Sequence, residues 1–326
     1  LITRLTQEGF VIKFYCQSSG EDDNFRLNFP NAELLNFRHS GGLKGLGLVR
    51  FLINTLRLLI FNRFDLVLWS YVGYMENVFF ALLGVPYTLK SDSAKILQPK
   101  SFFGKLKYWL FIKYPIKKAN HVLVETVEVG KRLKKVVDRD VYLFPNGVPI
   151  KQFKKFELQF ESQTNKNRGL YILYTGRIMR EKGVDLLLKS FSEISYKYPK
   201  WKMYIVGSVW DEKYEEKLKK FVLNNNLSNN VFLLPFKTGV ELYELYYFAE
   251  IFVLPSRREG LANRITEAMF FKNAIVAFDV NQTKSLVTEQ TGELVPALDV
   301  TGFSNKIEFL INNKEIRKNK GKQARS

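Results

Sequence analysis

Pro255-Ser-Arg-Arg-Glu-Gly-Leu-Ala-Asn-Arg-Ile-Thr-Glu-Ala-Met269 is the stretch from which the fold of this chain can be read. The apolar run Ile251-Phe-Val-Leu254 feeds straight into it, Gly260 marks a tight turn, and helix formers follow. The order is strand, short loop, helix. Seven residues separate the two carboxylates, with Glu259 on the loop and Glu267 inside the helix. A helix entered from the carboxyl end of a strand turns backbone N–H groups and a positive dipole end into the crevice where α/β proteins bind phosphates. An acid about one turn further in can accept hydrogen bonds from vicinal hydroxyls, as on a ribose, and a loop acid can do the same for a sugar. By spacing alone, two such glutamates are more often solvated surface charges.

A second stretch has the same build. Tyr171-Ile-Leu-Tyr-Thr-Gly-Arg-Ile-Met-Arg-Glu-Lys-Gly-Val-Asp185 reads as a strand ending at Gly176 and a helix starting near Val184, with Asp185 in its first turn. Gly176 lets the backbone approach a ligand closely. Arg177 as a planar fork and Lys182 as a point charge can neutralise a diphosphate leaving group without a metal. Either cation on its own also suits an ordinary surface loop.

Together the two stretches resemble the retaining glycosyltransferases of the GT-B fold, family 4, with their E-x7-E signature and G-R-x3-K-G-x-D segment. The match extends to Pro255-Ser256, Ala268-Met269 and Thr291-Gly-Glu-Leu-Val-Pro296, and to the strand and turn Val141-Tyr-Leu-Phe-Pro-Asn-Gly-Val148. The resemblance is carried by residues 121–300; the first part of the chain matches in rhythm and size. It implies two doubly wound, Rossmann-like α/β domains facing a cleft, the second binding a nucleotide-sugar donor and the first an acceptor. It implies a catalytic group of Arg177, Lys182 and Glu259, and donor contacts from Gly176, Gly260, Leu261, Ala262, Asn263 and Glu267. It further implies transfer of a hexose from a UDP- or GDP-sugar to a glycan or lipid-linked acceptor, with retained configuration, no metal and no cofactor, the nucleotide-sugar being a substrate. Surface polysaccharide or glycolipid synthesis is the expected setting. Three departures bear on the donor pocket and its surroundings: Val209 stands where a second glycine is common, Asn281-Gln-Thr-Lys284 replaces a glycine-bearing turn, and Pro149 replaces an Asp.

The chain has 326 residues, 46% hydrophobic and 25% charged, enough for two globular domains. Short apolar strands at 10–16, 66–70, 86–90, 121–125, 141–144, 170–175, 202–206, 231–234, 251–254 and 274–278 alternate with helical stretches, which predicts parallel sheets with crossover helices. The charged and polar run 151–169 places the domain boundary after residue 150, giving domains 1–150 and 151–326. The chain opens on Leu1 and a stretch that reads as the end of a helix, so we expect a domain entered part-way and both ends cut short. The tract Leu66–Leu89 is apolar, but Asp65, Gly73, Glu76, Gly84 and Pro86 punctuate it, predicting strand, helix (about 74–83) and strand rather than a membrane span.

Cys16 is the sole cysteine, which excludes an intrachain disulfide and fits a reducing, cytoplasmic compartment; with only His39 and His121 beside it, a His/Cys zinc site lacks ligands. Asp138-Arg-Asp140 has the form of a manganese motif but sits in a short turn, and is read as that turn. Gly41-Gly-Leu-Lys-Gly-Leu-Gly47 misses dinucleotide-binding spacing and reads as a loop. Asp92, after strand 86–90, is an acceptor-side candidate or a helix cap. The formal charge of +18 suits anionic partners. No nucleic-acid motif is present. Residues 102–118 are basic and aromatic, with 102, 103, 106, 109 and 110 on one helical face. They predict either a peripheral contact with an anionic membrane surface or a core helix with solvated lysines. Two other classes stay open at this point: a GT-B-shaped sugar-nucleotide epimerase, and a non-catalytic basic protein binding lipid or RNA.

Overall fold

The computed structural model describes residues 8, 11–16, 32–36, 46–61, 64–69, 75–91, 101–137, 139–144, 147–162, 169–259, 262–280 and 283–326. It divides into two compact units, 1–144 and 145–326. The division falls six residues before the expected boundary.

In the first unit, β1 (Ile12–Cys16) and β2 (Ala32–Asn36) pair in parallel as a separate two-stranded sheet. There follow α1 (Leu46–Phe61), β3 (Val67–Trp69), α2 (Met75–Leu82), β4 (Tyr87–Ser91), α3 (Phe102–Tyr108), a π-helical turn Trp109–Lys113, α4 (Tyr114–Lys118), β5 (His121–Val124), α5 (Val127–Val137) and β6 (Tyr142–Leu143). Strands β3-β4-β5-β6 form a parallel sheet in sequence order. Leu89, Val122 and Val124 from the sheet pack with Leu59, Phe80, Ile116 and Leu133 from the helices. The tract 66–89 thus folds as strand, helix, strand, and among the described residues no helix is long and apolar enough to cross a membrane. Gly47, expected in a loop, lies inside α1. In the Asp-Arg-Asp turn, Arg139 donates to the carbonyls of Ile116, Lys117, Ala119 and Asn120, closing the C-terminal end of α4, where a cation meets the negative end of the helix.

The second unit comprises α6 (Ile150–Glu161), β7 (Tyr171–Thr175), a 3₁₀ turn Arg180–Lys182, α7 (Val184–Ser192), β8 (Lys202–Val206), α8 (Glu212–Asn224), β9 (Val231–Leu234), α9 (Gly239–Phe248), β10 (Ile251–Leu254), α10 (Asn263–Phe270), β11 (Ala274–Asp279), α11 (Thr283–Leu286), β12 (Gly292–Pro296), α12 (Val300–Asn312) and α13 (Lys314–Arg325). Its sheet is wholly parallel in the order β12-β11-β10-β7-β8-β9. The two central strands are continuous apolar runs, as strands covered on both faces must be. Their period of two sorts the core: Ile172, Tyr174, Ile251 and Val253 meet α7, α8 and α12, while Tyr171, Leu173, Phe252 and Leu254 meet α6, α9 and α10. The run expected to be a polar boundary is largely helix α6. Lys151, Lys154, Lys155 and Glu161 face out, Glu157 turns inward to an ion pair, and Phe153 and Phe160 are buried. A 3.6-residue period hidden among lysines, with its apolar stripe two aromatics wide, looks like a linker by composition.

Ion pairs tie the last helix to this core. Arg317, buried, donates to Glu250 at 2.8 Å and to the carbonyls of Leu310 and Ile311. Arg325 makes a two-pronged contact with Glu157 on α6, at 2.7 and 2.9 Å. Burial alone would raise the Glu157 carboxyl, but the hydrogen bond and charge of Arg325, with Lys272, outweigh it and hold the pKa below the ordinary 4.5. A depressed native pKa contributes stability that is present above the unfolded value and lost as pH falls through the native one. Replacing Glu157 by Gln should therefore cost about 1–2 kcal/mol near neutrality. Thermal unfolding of the two proteins as a function of pH checks this: the gap should shrink as pH falls below about 4, and a gap independent of pH would refute it.

Candidate functional site

The site follows from the strand order. Chain order runs outward from β7 through β8 to β9, then returns to the other side of β7 with β10. The direction of the sheet reverses between β7 and β10, and a crevice opens at the carboxyl ends of such a strand pair. Thr175-Gly176-Arg177 and Leu254-Pro255-Ser256 leave those two ends, so the two stretches quoted above meet at one edge.

They are fastened together. Gly183 has φ +69°, and a Cβ there would lie 1.9 Å from the Pro255 carbonyl oxygen, so no other residue fits. The Arg257 guanidinium grips the Asp185 carboxylate at 2.7 and 2.8 Å and donates to the Arg180 carbonyl, while its backbone N–H donates to the Glu181 carbonyl. Tyr214 completes the clamp by donating to Asp185 at 2.6 Å. Burial opposes the charge on Asp185, but hydrogen bonds from Arg257 and Tyr214 outweigh it and lower its pKa. Asp185 was legible as a motif residue. Arg257 and Tyr214, its partners, were not singled out: Arg257 lies inside the quoted stretch, and Tyr214 reads as an ordinary helix residue.

Within this frame Lys182 and Glu259 meet at 2.7 Å, and Ser256 donates to the same carboxylate oxygen at 2.5 Å. Both charges are largely buried. Next to them Tyr174 donates to the Arg177 carbonyl. Burial, with the charge of Glu259, pushes the Tyr174 hydroxyl far above 10, so it stays protonated as a donor. Ala262 is buried just ahead of α10, and Asn263 opens that helix exposed. The helix has no side-chain cap, so its first N–H groups are not satisfied by one. Glu267 lies one turn in, as read from the sequence, and accepts from Arg264 at 2.7 Å. Burial disfavours the Arg264 charge, but Tyr246 and Glu267 outweigh it and raise its pKa. Gly176 packs with its carbonyl 1.7 Å from where a Cβ on Gly207 would stand, so the close approach here is of chain to chain. Gly260, Leu261 and Asp92 lie outside the described residues. Among the described residues no cluster of three His, Cys, Asp or Glu is placed to hold a metal.

Residues 155–326 match the family model for glycosyl transferases group 1. The chain belongs to that family. Glycosyl transferases that it resembles include the capsular polysaccharide biosynthesis glycosyltransferase CapM of Staphylococcus aureus, 31% identical over 186 residues, 55% of this chain and 47% of that protein. An uncharacterized glycosyltransferase of Haemophilus influenzae is 35% identical over 147 residues, 44% of this chain and 40% of that one. The chain thus spans somewhat under half the length of these curated relatives. Anabaena HepE, solved with UDP and glucose, superimposes with a TM-score of 0.76 at 14% identity, covering 99% of this chain and 88% of that one. That likeness is one of fold: the class is α/β with parallel sheets, of GT-B type, the second sheet being doubly wound.

Because Gly183 fixes both the left-handed turn and the contact with Pro255, Gly183→Ala should lower stability by at least about 1–2 kcal/mol from the backbone conformation alone. The steric clash adds to this and should displace Arg257 and Lys182 from their partners. Unfolding midpoints and hydrogen exchange of the 180–185 segment check this; an unchanged midpoint would refute it.

Proposed function

We propose that this chain is a retaining glycosyltransferase that moves a hexose from a UDP- or GDP-sugar to a glycan or lipid-linked acceptor, without a metal. One observation carries the reading. The cations and acids of both stretches converge where the strand order reverses, on loops locked by the Gly183–Pro255 contact and the Arg257–Asp185 pair. Arg177 and Lys182 would face the diphosphate, whose charge grows as the sugar departs, so their contribution falls mostly in the transition state. Glu267 would accept the ribose hydroxyls. Glu259, held by Lys182 and Ser256, would accept from the sugar. The family membership and the roles named for CapM and for the mannosyltransferase LpcC of Rhizobium leguminosarum, in capsule and lipopolysaccharide synthesis, support a role in surface polysaccharide or glycolipid assembly.

A panel of nucleoside diphosphates and their sugars, read by thermal shift and then by calorimetry, tests the donor. One base should stabilise the protein, EDTA should leave this unchanged, and Glu267→Ala should weaken binding by about 1–3 kcal/mol, the cost of an unsatisfied polar partner. A folded variant with undiminished affinity would rule out that role, and binding that requires manganese would rule out the metal-free reading. Isomerised donor without an acceptor would instead mark an epimerase.

The expected place of action is the cytoplasmic membrane face. Helix α3 and the turn after it leave Phe102, Phe103, Leu106 and Trp109 exposed, at 77, 81, 54 and 50%, amid exposed Lys105, Lys107, Lys113, Lys117 and Lys118. This supports the membrane-facing alternative over a core helix for residues 102–109. Aromatic side chains insert at the headgroup level, and each nearby lysine contributes about 1 kcal/mol toward an anionic surface, screened by salt. Co-sedimentation with vesicles containing phosphatidylserine should show salt-sensitive binding that the triple change Lys105→Glu, Lys107→Glu, Lys113→Glu abolishes while the melting curve is kept. No binding at low salt would refute peripheral attachment and favour a soluble acceptor.

A further inference from the structure

The cations at the carboxyl edge of the second sheet are not equivalent. Lys182, Arg257 and Arg264 each have a carboxylate partner, Glu259, Asp185 and Glu267 respectively. Arg177, Arg180 and Arg258 have none among the described residues; Arg177 is the one of these three set against an aromatic ring there, its guanidinium carbon 4.6 Å from the centre of the Trp210 ring. An unneutralised guanidinium at this edge has the most to gain from an incoming diphosphate. Being exposed, it also has the most side-chain freedom to lose.

The backbone explains why Trp210 is there. Pairing of β7 with β8 continues past both strand ends: the N–H of Ile178 donates to the Ser208 carbonyl at 2.8 Å, and that of Trp210 to the Ile178 carbonyl at 3.1 Å. Gly207 lets the two chains cross, and Ile178 bridges Val209 in parallel. This register sets Trp210 beside Arg177. The indole N–H donates to Ser208 Oγ at 3.2 Å, which fixes the ring plane. A large aromatic side chain left 63% exposed has little packing reason to be held in this way. Val209, noted above where a second glycine is common, permits the extended bridge that a flexible Gly-rich turn would not enforce.

We propose that Trp210 is a positioning residue for the donor diphosphate, acting through Arg177. Its ring, oriented by Ser208, holds the guanidinium by cation–π contact, so that the fork meets the phosphates without first being ordered. This rests on the donor-site reading given above.

The test is a double-mutant cycle on binding of UDP and GDP by calorimetry, using the whole chain. An exposed cation–π contact corresponds to a two- to fivefold effect, roughly. Trp210→Ala should weaken diphosphate binding by about that factor, and Trp210→Phe, which keeps a ring, by less. In an Arg177→Ala background Trp210→Ala should change nothing, because the two act as one unit. Wild-type binding that Trp210→Ala leaves intact would overturn the positioning role alone. So would an undiminished loss in the Arg177→Ala background, which would mean the indole touches the ligand itself. Failure of the wild type to bind either diphosphate would remove the donor-site reading, and the positioning role with it.

Discussion

The contact between Gly183 and the Pro255 carbonyl is the constraint on which the second unit's chemistry rests. A parallel sheet delivers its loops to one edge but does not hold them in register, because loops carry few hydrogen bonds of their own. Here the backbone of one loop touches that of the next, at a position where any side chain would collide. The Arg257–Asp185 fork then spans the same junction. Both partners are partly solvated, so the fork is worth more as a geometric clamp than as stability. Its effect is to place Lys182 and Glu259, from different loops and 77 residues apart, within hydrogen-bond distance.

That arrangement explains how several like charges coexist at one edge. Arg177, Arg180, Lys182, Arg257, Arg258 and Arg264 all lie on these loops or at the start of α10. Left unpaired they would repel. Asp185, Glu259 and Glu267 each neutralise one, and each acid is ordered by a second donor or lies beside one: Tyr214 for Asp185, Ser256 for Glu259 and the buried Tyr246 for Glu267. The hydroxyls of Tyr174, Tyr214 and Tyr246 all have pKa values raised by burial first, so they act as fixed proton donors rather than acids. A prearranged set of this kind needs little reorganisation when charge develops on a ligand.

The sequence made the strand–loop–helix units legible because central parallel strands are uninterrupted apolar runs. Ten strands were placed by that signal, and those at 202–206, 231–234 and 251–254 match residue for residue. Among the described residues two were missed as strands. Ala32–Asn36 carries Glu33 and Asn36 in a pattern too short to show a period, and Gly292–Pro296 begins and ends with residues that usually break strands. The two glutamates, the Arg–Lys pair and Asp185 could be named because they sit at fixed spacings from strand ends. Their partners could not. Whether Lys182 faces Glu259, or Arg257 faces Asp185, depends on which strands become neighbours, and local sequence does not encode that adjacency.

The same reasoning accounts for Trp210. From sequence Trp210 was not singled out; the departure noted there was its neighbour Val209, and no partner for the indole was in view. Strand adjacency gives it one. β7 and β8 are consecutive and paired, so whatever follows β8 must run beside whatever follows β7, and the arginine after β7 needs a neighbour there. In this chain an indole stands beside that arginine. A departure from a family pattern at a strand end is thus informative when the adjacent strand's loop carries a charge, because the substitution changes that charge's surroundings rather than only its own.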